Sequence, residues 1–250
     1  MLATVVALYN AERGFLQSRL WGRRMVRHTL GLALLVTLVV LAVSACGGGG
    51  QEKAKARPLP EAPSFRSASK DLRPGEYRSE EFKPSLSFRV GKGWESDVEV
   101  ADFLYLRRGE SASLSFWNVQ EVYKSSTTGS INPVPAPDDM VGWFEHHPYL
   151  QTDEPEPVTL GGVKGVQFDV AVEDLPGDFS SVCGPGCVDV AKFSDGSWIG
   201  FVEGDKERVI VLEDVKGKTV IVDFGSSATT FDESAPEAQK VFDTVKWKGI

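Results

Sequence analysis

Alternating apolar and polar residues predict β-strands in the middle of the chain. Leu86, Phe88 and Val90 repeat with a period of two, as the inward-facing positions of a half-buried strand do. The same period recurs in two later segments, whose apolar positions are Ala112, Leu114, Phe116 and Val166, Phe168, Val170, Val172. Residues 209–212 and 220–222 are apolar at every position, which is typical of strands covered on both faces. The pattern therefore predicts a sheet with other elements packed against each face.

Short glycine-containing segments separate these strands. Residues 161–165 include three glycines and predict a hairpin turn before the strand that contains Val166. Further turns are expected at Asp195-Gly196, at residues 203–205 and at Lys216-Gly217. The C-terminal half of the chain is therefore predicted to form a meander.

Two segments have the spacing of an amphipathic helix. The first, residues 138–147, begins with two acidic residues suited to a helix N-terminus and ends before Pro148. Its expected buried face is Met140, Trp143, Phe144 and His147. The second begins at a capping box, in which Ser234 and Glu237 satisfy free backbone amides, and has the apolar stripe Ala238, Val241, Phe242 and Val245. Residues 124–137, rich in Ser, Thr, Gly and Pro, are expected to form a long loop.

These elements predict an α+β fold, in which an antiparallel, meander-rich β-sheet is covered by two helices. The covering helices would account for the strands that are apolar on both faces. A β-sandwich with peripheral helices is the alternative.

The N-terminal part of the chain has the pattern of a secretion signal. Arg23, Arg24 and Arg27 precede residues 30–45, which are uncharged but shorter than the roughly 20 residues of a membrane-spanning helix. This segment ends in Val43-Ser44-Ala45-Cys46, which resembles the lipobox of bacterial lipoproteins. The resemblance implies cleavage before Cys46 and a diacylglycerol on its sulfur, and two acyl chains are enough for stable anchoring. A short transmembrane anchor is the alternative.

We therefore expect the chain to have three parts. Residues 1–45 would be the lipoprotein signal peptide, with Met25 as an alternative start. Residues 46–74, which open with Cys46 and four glycines, would be a flexible tether. Residues 75–250 would form a single globular α+β domain, held at the extracytoplasmic face of the cell membrane through the lipid on Cys46.

The charge of the chain limits its partners. The whole sequence has 27 basic and 35 acidic residues, and residues 1–45 contain five arginines and one glutamate. Residues 46–250 therefore carry 22 basic and 34 acidic side chains, a net charge of −12. A surface of that charge repels nucleic acid and anionic lipid, so we expect no nucleic-acid partner.

Two cysteines remain when Cys46 is set aside. Cys183 and Cys187 are separated by Gly-Pro-Gly, which lets the backbone turn tightly enough to bring the two sulfurs together. A structural disulfide is expected in an oxidising compartment. A redox pair and a metal site are weaker alternatives, because the spacing is CxxxC and zinc needs four ligands.

The sequence indicates a protein that is not an enzyme. It has no GxSxG, HExxH or SxxK motif, and we expect no cofactor, no metal and no catalytic residue. Aromatic and polar side chains near loops supply the candidate ligand-binding residues, which are Trp143, His146 and Trp198. His147 is expected to be a core-edge residue.

The order of elements resembles the PsbP-like α/β/α sandwich family. The resemblance is carried by a central helix after the first strands, the hairpin at residues 158–162, a meander and a final helix ending in Val245-Lys246-Trp247, and it covers about residues 82–247. It implies a non-enzymatic accessory or binding protein, and it transfers no site residue because the family shares no fixed catalytic set.

Three functions remain open. The first is a membrane-anchored binding module for a small molecule, a lipid or a partner protein. The second is a structural or assembly factor of a membrane complex, an expectation that follows from the family resemblance. The third is an enzyme that uses an unrecognised set such as His146 with Glu145. We expect the ligand site on the face bounded by residues 124–137 and the helix that carries Trp143.

Overall fold

A nine-stranded antiparallel sheet lies between two hydrophobic cores. The computed structural model describes residues 55–61, 68–110, 112–126 and 128–250. Numbered along the chain, the strands of this main sheet are β2 (Lys70–Asp71), β5 (Trp94–Glu99), β6 (Phe103–Arg108), β7 (Ala112–Asn118), β10 (Leu150–Thr152), β11 (Glu156–Leu160), β12 (Val163–Val172), β15 (Asp205–Leu212) and β16 (Val220–Ser227). Their order is β10-β12-β15-β16-β7-β6-β5-β2, and β11 also pairs with β12.

A small sheet and a long helix cover the first face of the main sheet. The strands of this first small sheet are β1 (Arg57–Pro58), β3 (Gly75–Arg78), β4 (Leu86–Val90) and β17 (Lys246–Trp247), and the helix is α2 (Phe231–Phe242). Leu106, Leu114 and Phe224 point from the main sheet into this core. All three are at most 1% exposed, so the first face is closed to solvent there.

A second small sheet and a short helix cover the opposite face. The strands of this second small sheet are β8 (Glu121–Ser126), β9 (Gly129–Pro135), β13 (Cys187–Lys192) and β14 (Trp198–Val202), and the helix is α1 (Met140–Glu145). Phe103, Trp117 and Val209 of the main sheet point into this second core. Among the described residues, no helix is long and apolar enough to cross a membrane.

The structure confirms the predicted α+β class. The strands are almost all antiparallel, two helices lie against them, and the alternating segments at Leu86 and Val166 fall within β4 and β12. Residues 209–212 and 220–222 are buried in adjacent strands, as expected for strands covered on both faces. Each helix shares its layer with a small sheet, which the sequence pattern did not reveal.

The long loop predicted at residues 124–137 is wrong. Most of that range belongs to β8 and β9, which pair as an antiparallel hairpin. Pro133 and Pro135 misled the prediction, because proline is usually excluded from strands. Here they lie in β9, which is an edge strand of its sheet, and an edge strand tolerates proline.

The predicted meander is also only partly correct. The turns at Asp195-Gly196 and Lys216-Gly217 connect paired strands, but residues 203–204 lead from β14 in the second small sheet to β15 in the main sheet. The C-terminal half therefore divides between two layers.

Both helix boundaries differ from the sequence prediction. The capping box at Ser234 is wrong, because α2 begins at Phe231 after Thr230 and Ser234 lies inside the helix. The shorter helix begins after Asp139, whose carboxylate accepts a hydrogen bond from the amide of Gly142 at 2.8 Å. That helix ends at Glu145, and His147 is buried just beyond it.

Part of the range expected to be a tether is joined to the fold. Strand β1 pairs in parallel with β3, and β2 pairs with β5. Leu59 and Leu72 are each 4% exposed in the first core. Ordered structure therefore begins before Gly75.

Candidate functional site

The second face of the main sheet changes from apolar to polar along its strands. Phe103, Trp117 and Ile221 form a buried apolar row across β6, β7 and β16. Side chains two residues apart along a strand share a face. The next two rows on this face therefore include Tyr105, Ser113, Ser115, Asp223 and Glu207. We call these five residues the acid row.

Asp223 is the central carboxylate of the acid row. It is 4% exposed and accepts hydrogen bonds from the indole Nε1 of Trp117 at 3.0 Å and from the hydroxyl of Ser115. Burial raises its pKa to about 6, and the two hydrogen bonds act in the opposite direction. Asp223 therefore holds a proton more readily than an exposed aspartate.

Glu207 is the least satisfied member of the acid row. The residue keeps some exposed surface, but its Oε2 is buried and has no hydrogen-bond partner among the described residues. Burial raises the pKa of Glu207 well above its usual range, and the negative charges of Asp223 and Asp205 raise it further. A buried acceptor without a donor is costly, so this oxygen marks a place where a donor is missing.

Gly225 makes room for the carboxyl group of Glu207. The two residues are paired across β15 and β16, and a Cβ on Gly225 would lie 2.0 Å from the Oε2 of Glu207. The carboxyl group of Glu207 therefore packs directly against the backbone of Gly225, which has no side chain. Any other residue at position 225 would push it away.

A tyrosine and an ion pair border the carboxyl groups. Burial raises the pKa of Tyr105 to about 12, and the charges of Asp223, Asp97 and Glu207 raise it as well, while a hydrogen bond with Ser113 lowers it. Arg107 lies 3.3 Å from Asp97 and 3.3 Å from Glu95 at the β5 side. The positive charge of Arg107 is therefore already paired with two acids, Glu95 and Asp97.

The acid row can accept hydrogen bonds and can hold protons near neutral pH. It can therefore receive a ligand group with N–H or O–H donors, and a cationic group would favour the ionised carboxylates. Within the described residues, no group of three or more His, Cys, Asp or Glu side chains is arranged to hold a metal ion.

The cysteine loop is a structural feature beside β13. Cys183 and Cys187 are joined in a disulfide, as their spacing predicts. Asp189, which is 0% exposed, accepts hydrogen bonds from the amides of Val182 at 2.7 Å and Cys183 at 2.9 Å. Gly200 of β14 lies against both sulfurs, where a Cβ would come within 2.9 Å of each. The disulfide and Asp189 together fix this loop to the second small sheet.

The three candidate ligand-binding residues lie in different settings. Trp143 is half-buried on α1, with its ring 5.0 Å from that of Phe144. His146 is exposed at the end of α1, with its Nδ1 2.7 Å from the carbonyl oxygen of Gly142. Trp198 is half-buried and begins β14 opposite Lys192. Among the described residues, no hydrogen bond or ring contact joins Trp198 to the other two.

His147 occupies the core-edge position that the helix pattern predicts. It is 7% exposed, lies 5.1 Å from the ring of Trp143, and accepts a hydrogen bond on Nδ1 from the amide of Tyr149 at 3.3 Å. Burial lowers its pKa to about 4, so the ring is neutral at physiological pH. Cys46, the predicted lipidation site, lies outside the described residues.

Sequence reasoning missed Glu207 and Asp223. The available signal was an acid inside an apolar strand, since Asp223 interrupts the run from Val220 to Phe224. Glu207 gave no such signal, because its neighbours Lys206 and Arg208 are charged. Only the pairing of β15 with β16 places the two acids on one face.

Solved structures of other proteins are similar to this chain, and two of them are described here. The solution structure of cyanobacterial PsbP (CyanoP) from Synechocystis sp. PCC 6803 is 13% identical, covers 72% of this chain and 97% of its own, and has a TM-score of 0.38. The crystal structure of LpqN, which is involved in cell envelope biogenesis of Mycobacterium tuberculosis, is 11% identical, covers 72% of this chain and 90% of its own, and has a TM-score of 0.27. No family model and no curated protein matches the chain. Because both TM-scores are low, the α+β assignment rests on the strands and helices of this chain.

Proposed function

We propose that this chain is an extracytoplasmic lipoprotein, anchored through Cys46, whose folded part binds a ligand and is not an enzyme. The observation that carries the binding function is the buried, unpartnered Oε2 of Glu207 in the acid row. The lipobox at residues 43–46 supports the anchor. The ligand would be a small molecule or a group of a lipid or partner protein that ends in N–H or O–H donors.

The chemistry of the acid row favours a ligand with an amine. Two neighbouring acids, Glu207 and Asp223, both have raised pKa values because burial disfavours their charged forms. A positive charge beside them would favour ionisation of both carboxyl groups. Binding of a cationic ligand would therefore release protons, which distinguishes it from a neutral hydroxyl-bearing ligand.

The anchor is tested by mass spectrometry of the protein extracted from membranes. We expect a chain that begins at Cys46 and carries added acyl mass, and a Cys46→Ser variant that lacks this mass. Unmodified Cys46, or an uncleaved segment 30–45 that holds the protein in the membrane, would refute the lipoprotein assignment.

The binding function is tested by native mass spectrometry of the same membrane-extracted protein. We expect the wild type to carry a bound small molecule or lipid, and Glu207→Gln to carry much less of it. If the acid row alone holds the ligand, the control variant Trp198→Ala should carry as much ligand as the wild type. A Trp143→Ala or Trp198→Ala variant that loses the ligand while Glu207→Gln keeps it would place the site at the aromatic candidates.

The same experiment separates binding from the assembly role. A structural or assembly factor of a membrane complex would be recovered with a partner protein and without a small ligand. It would also keep that partner when Glu207 is changed to Gln. That result would favour the second function over the first.

A further inference from the structure

The chain that leads into the folded part is fixed to the first small sheet at residues 56–59, which we call the clip. Within the clip, β1 pairs in parallel with β3. The amide of Leu59 then donates to the carbonyl oxygen of Arg78 at 3.0 Å, and the side chain of Leu59 is 4% exposed in the first core. The clip is therefore part of the fold, in a range where the sequence predicts a flexible tether.

The clip includes an arginine whose side chain is held at three points. The guanidinium of Arg57 donates to the carbonyl oxygens of Arg73 and Pro74, each at 2.9 Å. It also lies 4.5 Å from the ring centre of Tyr77. A Cβ on Gly75 would lie 2.3 Å from the Nη2 of Arg57, so a side chain at position 75 would displace the guanidinium. This part of the first small sheet therefore fits the side chain of Arg57.

A second attachment follows the clip along the chain. Strand β2 pairs with β5, and the amide of Leu72 donates to the carbonyl oxygen of Trp94 at 2.8 Å. Leu72 is 4% exposed in the first core. Residues 60–69 therefore run between two fixed points, and their length adds nothing to the reach of the chain that precedes the clip.

The clip decides how much of the chain can separate the predicted anchor from the folded part. Cys46 is nine residues before Lys55 and 24 residues before Lys70. Nine residues span at most about 30 Å, and 24 residues span at most about 80 Å. As flexible coils, the two lengths have mean end-to-end distances of about 17 Å and about 27 Å. A closed clip therefore removes more than half of the available length.

We propose that the clip limits how far the folded part can move from the membrane to which Cys46 is anchored. This inference rests on the proposed lipid anchor. With the clip closed, the folded part stays within about 30 Å of its lipid attachment. Opening of the clip would extend this limit to about 80 Å and would leave the main sheet intact, because β1 is an edge strand of the first small sheet.

The test measures energy transfer from a dye on Lys92→Cys to acceptor lipids, in vesicles that hold the lipidated full-length chain. Lys92 is exposed in the turn between β4 and β5, and Cys183 and Cys187 are joined to each other and do not take the dye. An insert of about 16 Gly-Ser residues after Gly50 should raise the mean separation of anchor and folded part from about 17 Å to about 28 Å, and so lower the transfer. The same insert after Ser64, between the clip and β2, should leave the transfer unchanged.

Variants that open the clip should make the two inserts equivalent. Leu59→Asp places a charge in the first core, and Arg57→Ala removes the guanidinium. In each variant the insert after Ser64 should lower the transfer about as much as the insert after Gly50. Lys55→Ala is the matched control, because it changes the net charge by the same amount at an exposed side chain and should behave as the wild type does.

Two results would overturn the proposal. One is an equal effect of the two inserts in the wild-type chain, which would mean that the clip is open. The other is an insert after Ser64 that has no effect in both clip variants, which would mean that the clip does not set the limit.

Failure of the anchor would be visible separately. A chain that does not float with the vesicles would refute the lipid anchor, and with it the limit on distance from the membrane. The clip itself would then be tested in solution, by energy transfer between dyes on Gly50→Cys and Lys92→Cys in a Cys46→Ser chain. Transfer that is unchanged by the insert after Ser64 would support the clip, and transfer that falls would refute it.

Discussion

Asp223 and His147 are buried titratable residues that act on stability in opposite directions. Asp223 has a raised pKa, so the folded state holds its proton to a higher pH than the unfolded chain does. His147 has a lowered pKa, so the folded state releases its proton at a lower pH than the unfolded chain does. The two residues are 4% and 7% exposed, so solvent screens neither effect strongly. The net pH profile is a balance, and single substitutions are needed to separate its parts.

Replacing Asp223 by Asn should make the protein relatively more stable as the pH rises. Between the ordinary pKa of 3.8 and about 6, folded wild-type protein binds more protons than unfolded protein, so its free energy of unfolding falls with rising pH. The Asn variant lacks this loss, and the difference should approach about 3 kcal/mol between pH 4 and pH 7. Urea denaturation at several pH values measures the free energy of unfolding of both proteins. A difference between them that does not change with pH would contradict a raised pKa of Asp223 in the folded state.

Replacing His147 by Asn should have the opposite pH dependence. Wild-type stability falls as the pH drops from 6.5 to about 4, because the unfolded chain takes up a proton that the folded state refuses. The Asn variant escapes this loss, so it gains up to about 3 kcal/mol relative to wild type at low pH. The control is the same replacement at His146, the neighbouring histidine, whose side chain is exposed. An identical profile for both variants would mean that His147 is not buried as described.

At the scale of elements, the sequence predicted those strands whose alternation is complete within one segment. Leu86 to Val90 and Val166 to Val172 needed only their own residues to be recognised. The β8–β9 hairpin was missed because its prolines and small polar residues are tolerated at a sheet edge, and edge position depends on distant partners. The acid row was invisible for the same reason, since it is assembled from four strands between residues 105 and 223.

The contact between β14 and the disulfide gives a prediction at this scale. Gly200→Ala should destabilise the protein by about 1–3 kcal/mol, because the new Cβ would lie 2.8 Å from the Sγ of Cys183 and 2.8 Å from the carbonyl oxygen of Val188. Gly91→Ala is the matched control, since a Cβ there meets nothing within 4 Å. Thermal unfolding of both variants decides the question, and equal melting temperatures would show that β14 can move away from the disulfide.

At the scale of the whole molecule, the two faces of the main sheet differ in polarity. Leu106, Leu114 and Phe224 face the first core, whereas the acid row lies on the other face of the main sheet. A ligand in the acid row would therefore lie on the side of the main sheet opposite the first core.

The central claim is that the acid row holds a ligand whose donor group satisfies Glu207. A crystal structure of the membrane-extracted protein, determined near pH 7, tests it most directly. We predict a ligand atom within hydrogen-bond distance of the Oε2 of Glu207, on the face that Asp223 shares. A structure in which a protein side chain or only ordered water satisfies that oxygen, with no ligand in the acid row, would contradict the claim.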